Sequence, residues 1–169
     1  MSASQASALY PRAVVGGEEL RELMRRFPAG VAVVGVDLDG ERLGLTVGTL
    51  IPLSLEPPLL GFAIRRGAAL HELLRRAGAF GVSLLGAGQE ALAQHFARGV
   101  PPIALWDGID VRETDGPPLL AGAIGWLTGR VSAEIPAGED TFFVGEVLSV
   151  EHGARARPLV YVDRSYSAA

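Results

Sequence analysis

The chain has 169 residues, of which 49% are hydrophobic and 20% charged, so one folded domain with a sizeable core is expected rather than a disordered segment. A formal net charge of −4 argues against a nucleic-acid-binding protein, which normally carries a basic surface. The absence of cysteine excludes disulfides, thiolate metal sites and cysteine nucleophiles.

The ends of the chain and its apolar runs predict the domain organisation and the compartment. Residues 1–16 are predicted to be a flexible N-terminal tail and residues 17–169 to be one domain. The first ten residues are small and polar and lack the charged and apolar regions of a secretory signal. No run reaches the roughly eighteen apolar residues of a membrane span. We expect a cytoplasmic protein with neither a membrane nor a nucleic acid as partner.

The hydrophobic pattern predicts short helices and clustered strands. Helices are expected at 18–26, 68–76 and 89–97. Strands are expected at 31–36, 42–49, 59–64, 80–85, 123–134, 141–151 and 159–163, with a hairpin turn after the first and a long proline-rich loop at 98–118. Because the strands cluster instead of alternating with long helices, the predicted fold is mainly β with short helices, an antiparallel barrel and not a doubly wound sheet.

Residues 86–91, GAGQEA, match the dinucleotide-binding pattern G-x-G-x-x-A and lie between a predicted strand and a predicted helix. The element after that helix is the proline-rich loop, however, whereas the dinucleotide fold requires a parallel strand there. We therefore interpret the segment as a strand-to-helix turn with Gln89 near the helix cap.

The three histidines, His71, His95 and His152, are far apart, lack metal-ligand spacing and give no support to a catalytic triad. His95 is predicted to be a half-buried structural residue of the third helix. Arg65 and Arg66 lie between a strand and a helix, where guanidiniums and free backbone N–H groups form a candidate phosphate site with His71 nearby; ordinary surface arginines are the alternative.

The segments at 44–49, GLTVGT, and 53–59, LSLEPPL, are the most unusual part of the sequence. Small and hydroxylated residues at the end of a strand leave backbone groups open to the close approach of a flat ligand. Their spacing alone predicts no more than the lip of a binding site.

At these segments the sequence resembles the flavin reductase-like, FMN-binding split-barrel family, and the resemblance extends from about residue 20 to 166. The segment RFPAGVAVV at 26–34 resembles F-P-T-G-V-x-V-V, residues 44–49 stand where the family has G-x-T-A-S-S, and SLEPPL resembles S-L-D-P-P-L. Further matches are AFGVSLL at 79–85, LAQHFA at 92–97, GPPLLAGA at 116–123, PAGEDTFFVGEV at 136–147 and the closing PLVY and RSY. Within the family, residues 70–74 and 80–86 are most similar to the reductase component of styrene-type monooxygenases.

The resemblance implies an antiparallel six-stranded Greek-key split β-barrel that forms a homodimer. It implies an NAD(P)H-dependent flavin reductase that binds FMN or FAD, takes a hydride from NADH or NADPH onto the flavin N5, and supplies reduced flavin by diffusion to a partner monooxygenase. Because the chemistry belongs to the flavin, no side chain is assigned as catalytic and no metal is expected.

The resemblance also assigns binding residues by position. The cofactor-binding residues are Ala29, Gly30, Thr46, Val47, Gly48, Thr49, Ser54, Arg65, Arg66, Gly67 and Ala68. Arg65 to Ala68 correspond to the flavin phosphate site, Ser54 supports the loop at 46–49, and the others correspond to the ribityl chain and ring edge. The residues on the nicotinamide side are Asp140, Arg164 and Tyr166.

The chain departs from the family pattern at three places. Gly48-Thr49 replaces a serine pair, and 67–70, GAAL, replaces a phosphate loop rich in serine and threonine, which predicts weak, exchangeable flavin binding. The family's G-D-H-T is Gly138-Glu139-Asp140-Thr141 here, and two carboxylates at that place repel a dinucleotide phosphate. Two alternatives therefore stay open: a flavin- or haem-binding split barrel that has lost or repurposed the reductase activity, and a purely structural dimer module.

Overall fold

The computed structural model describes residues 15–98 and 102–169. All but the last two residues of the predicted N-terminal tail lie outside the described residues, as do residues 99–101 of the proline-rich loop. None of the helices in the described ranges has the length and apolar character needed to cross a membrane.

The three predicted helices are confirmed, each to within two residues at its ends. They are α1 (Gly17–Met24), α2 (Ala69–Ala77) and α3 (Glu90–Ala97), and a 3-10 turn follows at Pro102–Ala104. Glutamates in the first turn of α1 complement the helix dipole. Helix α2 ends at Gly78, whose φ of 67° is the left-handed conformation that stops helices and favours glycine.

The described residues also form twelve strands, and all of the pairings among these strands are antiparallel. They are β1 (Ala29–Gly30), β2 (Ala32–Leu38), β3 (Glu41–Val47), β4 (Ile51–Leu55), β5 (Pro58–Arg65), β6 (Ala79–Leu84), β7 (Val111–Arg112), β8 (Leu119–Leu120), β9 (Gly125–Ala137), β10 (Asp140–His152), β11 (Leu159–Val162) and β12 (Ser165–Ala168). The prediction of a mainly β, antiparallel fold with three short helices is confirmed.

The main sheet differs from the predicted six-stranded barrel, because it contains seven strands in the order β3-β2-β6-β9-β10-β5-β4. In the part of the chain that the structure describes, β3 and β4 are its two ends and are not paired with each other. The additional strand is β4, which contains Pro52 and pairs with β5 alone. Proline lacks the N–H that a central strand needs, so it is tolerated at an edge.

A cluster of aromatic rings fills the centre of the sheet. Phe62, Phe80 and Phe143 are fully buried, and the ring of Phe62 lies 5.2 Å from that of Phe80 and 5.9 Å from that of Phe143. Helix α2 buries its apolar face, formed by Leu70, Leu73 and Leu74, in the same core.

Two hairpins place the candidate site residues. The long β9–β10 hairpin brings its turn beside the end of β5, where Asp140 lies opposite Arg65. The β11–β12 hairpin lies beside β1, with Tyr161 opposite Ala29, and the backbone N–H of Asp163 in its turn donates to the carbonyl of Arg25 at 2.8 Å.

Candidate functional site

Two clefts meet at a ledge formed by residues 29–30 and 46–49, of which Ala29 and Gly48 line both clefts. The α3 cleft, of about 670 Å³, is lined by Ala29, Val31, Thr46, Val47, Gly48, Glu90, Gln94, Ala97, Arg98, Tyr161, Arg164, Ser165 and Tyr166. The α1 cleft, of about 710 Å³, lies on the other side of the ledge and extends from α1 past Gly30, Thr49 and Ile51 to Ala63 and Phe142. Each has the size of a typical small-molecule site.

Six predicted cofactor residues lie together along this ledge: Ala29, Gly30, Thr46, Val47, Gly48 and Thr49. No atom lies within 4 Å of the place where a Cβ on Gly30 would stand, so its backbone is open. A Cβ on Gly48 would lie 3.3 Å from that of Ala29, so any side chain there would crowd the ledge. Small residues thus leave the backbone accessible to a flat ligand.

The hydroxyls of this loop have structural partners. The Thr46 hydroxyl donates to the carbonyl of Ala93 in α3 at 2.7 Å. The Thr49 hydroxyl accepts the backbone N–H of Ala63 in β5 at 2.9 Å. The two threonines therefore fix the loop between α3 and β5, and its backbone groups remain the principal contacts that it offers to a ligand.

Two predicted nicotinamide-side residues, Arg164 and Tyr166, line the α3 cleft. The rings of Tyr161 and Tyr166 are 5.0 Å apart and inclined at 58°. Burial, reinforced by the neighbouring Tyr161, raises the pKa of Tyr166, so its hydroxyl is protonated at neutral pH and can donate a hydrogen bond.

The third predicted nicotinamide-side residue, Asp140, lines neither cleft and lies beside the predicted phosphate segment, opposite Arg65. The Arg65 guanidinium pairs with Glu139 at 3.1 Å. The Arg66 guanidinium donates to the carbonyls of Gly138 at 2.7 Å and Asp140 at 3.1 Å. The structure thus brings Asp140 together with Arg65 and Arg66, whereas Arg164 and Tyr166 line the α3 cleft.

The segment that follows Arg66 is open. Ala68 is the residue that caps α2, and no side chain caps the helix there. No atom lies within 4 Å of a Cβ position on Gly67. The N–H groups of Ala68 and His71 donate to the carbonyls of Arg65 at 2.9 Å and Ala68 at 3.0 Å, so the exposed residues Gly67 and Ala69, beside two guanidiniums, carry the N–H groups that fit the predicted phosphate segment. Ser54 lies in β4 near a bulge and lines neither cleft.

His71 does not face the predicted anion site. It is only 8% exposed, and its Nε2 lies 2.8 Å from the hydroxyl of Thr141, the residue after Asp140. Burial, and then the positive charge of Arg75, lower the pKa of His71, so the ring is neutral at pH 7. The ring therefore connects α2 to the start of β10. Because His71 lies among the buried leucines of α2, its role is structural.

Two other interpretations from the sequence are confirmed. His95 is half-buried, and its Nε2 lies 2.7 Å from the carbonyl of Leu105, as expected of a structural residue. The backbone N–H of Gly86 donates to the Gln89 side chain at 2.9 Å, and the strands around this turn are antiparallel. The glycine pattern is therefore a strand-to-helix turn, with Gln89 at the N-cap position of α3, and not a dinucleotide-binding turn.

Sequence reasoning missed the contribution of α3 to the site. Glu90, Gln94 and Arg98 line the α3 cleft at intervals of four residues, the spacing that places side chains on one helix face. This signal is present in the sequence. Nothing local, however, indicates that the face lies against a loop more than 40 residues earlier in the chain.

Comparison with known proteins identifies the family. The family described as "Flavin reductase like domain" matches residues 24–169. A Thermus thermophilus protein, the reductase component of 4-hydroxyphenylacetate 3-monooxygenase, is 41% identical over 88% of this chain and 94% of its own length. A Streptomyces viridifaciens NADPH-flavin oxidoreductase is 40% identical over 84% of this chain and 75% of its own length.

A solved structure shows the same fold. The NADH:FAD oxidoreductase SgcE6 of Streptomyces globisporus, in complex with NAD and FAD fragments, matches with a TM-score of 0.84 and 30% identity, over 92% of this chain and 96% of that one. The family predicted from the sequence is confirmed. The chain belongs to the flavin reductase-like domain family.

Proposed function

We propose that the protein is an NAD(P)H:flavin oxidoreductase that supplies reduced FMN or FAD to a partner monooxygenase. The observation that carries this is identity of 40–41% with known reductases over most of the chain. The enzyme class predicted from the sequence is confirmed by these relatives.

The ledge between the clefts is the place that fits a flavin. Ala29, Gly30 and Gly48 give the ring edge a wall of backbone and small side chains, and the α1 cleft beside them has the volume for a flat tricyclic ring. Bound flavin supplies the hydride and electron chemistry that the side chains of this cysteine-free chain lack. The chain itself binds and orients the ring, with the loop fixed by Thr46 and Thr49.

The phosphate of the flavin is assigned to Arg65, Arg66, Gly67 and Ala68, because uncapped N–H groups and guanidiniums occur there together. Ser54 in β4 supports the neighbouring loop. Asp140, Arg164 and Tyr166 are assigned to the nicotinamide side. The ion pair between Arg65 and Glu139 offsets one of the two carboxylates expected to repel a nucleotide, which favours the reductase over an inactive flavin- or haem-binding barrel.

The active form is proposed to be a homodimer, and the sheet to be the Greek-key split barrel of this family. Strand β4 supports the dimer, since it forms an end of the sheet and exposes Ile51, Leu53 and Leu55. An apolar edge strand of this kind is normally covered by a partner. The cytoplasmic location and the limits of the 17–169 domain stay predictions.

Activity measurements with purified protein test the function. We expect steady oxidation of NADH or NADPH that depends on added FMN or FAD, because weak binding leaves the protein largely flavin-free. Absence of turnover with all four combinations would contradict the proposal. A flavin titration then separates the alternatives: binding without turnover indicates the repurposed barrel, and no binding indicates a structural module.

A further inference from the structure

We propose that the buried contact between His71 and Thr141 positions the segment assigned to the flavin phosphate, and that it thereby sets the affinity of the protein for FMN. Neither side chain lines either cleft, so both act on the ligand through that segment and are positioning residues. The inference deepens the proposed function and rests on it, because the phosphate assignment belongs to that proposal.

The phosphate segment, residues 66–69, has little packing of its own. Gly67 and Ala69 are exposed, and no atom lies within 4 Å of the Cβ position on Gly67. The N–H of Ala68 donates to the carbonyl of Arg65 at 2.9 Å, and no side chain caps α2 there. The position of the segment therefore depends on what holds its two ends, the end of β5 and the first turn of α2.

The turn between β9 and β10 holds the first end. The backbone N–H of Arg66 donates to the carbonyl of Glu139 at 3.2 Å. The guanidinium of Arg66 donates to the carbonyls of Gly138 at 2.7 Å and Asp140 at 3.1 Å. Three hydrogen bonds thus attach Arg66 to this turn.

His71 holds the second end. It lies in the first turn of α2, and its Nε2 is 2.8 Å from the hydroxyl of Thr141, the residue that follows the turn in β10. The two residues are only 8% and 6% exposed, and the imidazole packs edge-on against the ring of Phe143 at 5.4 Å. Breaking this hydrogen bond leaves two buried polar groups without partners, so the contact fixes α2 to the start of β10.

The two attachments together preorganise the phosphate segment. The start of β10 and its turn hold Arg66 on one side and His71 on the other, and the exposed N–H groups of Gly67 and Ala69 lie between them. A site fixed in advance binds more tightly, because less conformational freedom is lost when the ligand arrives. Without the contact at His71, the first turn of α2 is free to shift relative to Arg66.

The ledge is held by other contacts, which gives the inference a specific consequence. The hydroxyls of Thr46 and Thr49 attach the ledge to α3 and β5, and neither bond involves α2 or the turn between β9 and β10. Loss of the contact between His71 and Thr141 should therefore weaken the binding of the flavin phosphate and leave the binding of the ring unchanged.

Fluorescence titration of the full-length protein with FMN and with riboflavin tests this consequence. Riboflavin has the same ring and ribityl chain as FMN but no phosphate. Thr141→Val keeps the shape of the side chain and removes its hydroxyl, so we expect the Kd for FMN to rise roughly fivefold, the effect of one hydrogen bond, and that for riboflavin to stay the same. Thr141→Ser keeps a hydroxyl and should retain the affinity for FMN.

Thr128→Val is the matched control. The Thr128 hydroxyl lies 2.6 Å from that of Ser149 at the other end of the same hairpin, so this variant also removes one side-chain hydrogen bond. Both flavins should bind to it as they do to the unaltered protein. Hydrogen exchange in the flavin-free protein is the second readout, and the backbone amides of residues 66–71 should exchange faster in Thr141→Val and not in Thr128→Val.

The outcomes separate this inference from the proposed function. An equal rise in the Kd for FMN and riboflavin, an unchanged Kd for FMN, or a Thr141→Ser variant as weak as Thr141→Val would overturn the inference. Unchanged exchange at residues 66–71 in Thr141→Val would overturn it as well. An unaltered protein that binds neither flavin would instead remove the proposed function, and the exchange rates would still decide whether the contact positions the segment.

Discussion

Asp140 stands where the resemblance implies a histidine, and its contacts in the structure are made by its backbone. Its carbonyl accepts from Arg66, and the backbone of β10 pairs with β5 there, so these interactions do not depend on the side chain. We expect Asp140→His to raise kcat/KM for NADH by roughly fivefold, the effect of one hydrogen bond of about 1 kcal/mol, because a ring donor replaces a repelling carboxylate. Steady-state NADH oxidation measures it.

Asp107→His is the matched control for that experiment. Asp107 is exposed and lines neither cleft, so the same exchange should leave kcat/KM unchanged. An equal rise in both variants, or a fall in Asp140→His alone, would show that the aspartate is not the obstacle to nucleotide use.

His71 makes stability depend on pH. Because its pKa is lowered from 6.5 by burial and by Arg75, the unfolded chain binds more protons than the folded one just below that pH. The stabilisation is therefore present above about pH 6.5 and is lost as the pH falls from there towards the lower folded pKa. Urea midpoints measured between about pH 8 and about pH 5 should fall, and the fall should be smaller in His71→Gln, which cannot titrate.

The effect of His71 is isolated by comparison with another histidine. His152 is exposed and lies outside the buried contact between α2 and β10, so His152→Gln should keep the full pH dependence. Identical profiles in the two glutamine variants would contradict the assignment to the buried ring.

Some residues of the site could be predicted from the sequence and others could not. Ala29, Gly30 and Thr46 to Thr49 lie in short motifs that carry the family resemblance, and the structure places them together on one ledge. The place of Glu90 and Arg98 in the α3 cleft was not predicted, because helical spacing shows that residues share a face but not what that face contacts. His71 was predicted to lie near an anion site because it follows two arginines in the sequence. In the structure it is buried with the leucines of α2.

At the scale of elements, the sequence predicted the helices and the central strands but not the edge strand β4. Strands β2, β5 and β6 are largely buried, and their apolar runs predict strands from the sequence alone. Strand β4 contains Pro52 and is largely exposed, so it resembles a loop by composition and becomes a strand only through β5. Its existence is decided by tertiary pairing, which local pattern does not encode.

The contact between β6 and β9 depends on Gly129. It lies opposite Phe80, and a Cβ there would stand 2.6 Å from the Phe80 ring and 2.8 Å from the backbone carbonyl of Glu146. Since the carbonyl belongs to a paired strand and cannot yield, Gly129→Ala should lower the free energy of unfolding by about 1–3 kcal/mol. Urea unfolding provides the measurement.

Gly116→Ala serves as the reference substitution. No atom lies within 4 Å of its Cβ position and its φ is not left-handed, so the change should stay within about 0.5 kcal/mol. A comparable loss in both variants would mean that the effect comes from glycine replacement in general and not from crowding of Phe80.

At the scale of the molecule, the open ends of the seven-stranded sheet connect fold to assembly. Strand β4 presents unpaired backbone groups among the described residues, and it lies next to the α1 cleft through Ile51. A second chain covering this edge would also border the proposed flavin site. The apolar composition of the sequence and the exposed edge are both features that the proposed homodimer predicts.

Leu55 is the side chain on which this requirement can be tested. It is 90% exposed at the end of β4, so a charge there costs the folded monomer little but becomes buried in a dimer that uses this edge. We expect the unaltered protein to be a dimer by light scattering and Leu55→Asp to be largely monomeric with a cooperative unfolding transition. Ile103→Asp, at a residue 92% exposed in the 3-10 turn, should remain dimeric. A monomeric unaltered protein, or a dimer that survives Leu55→Asp, would place any assembly surface elsewhere than β4.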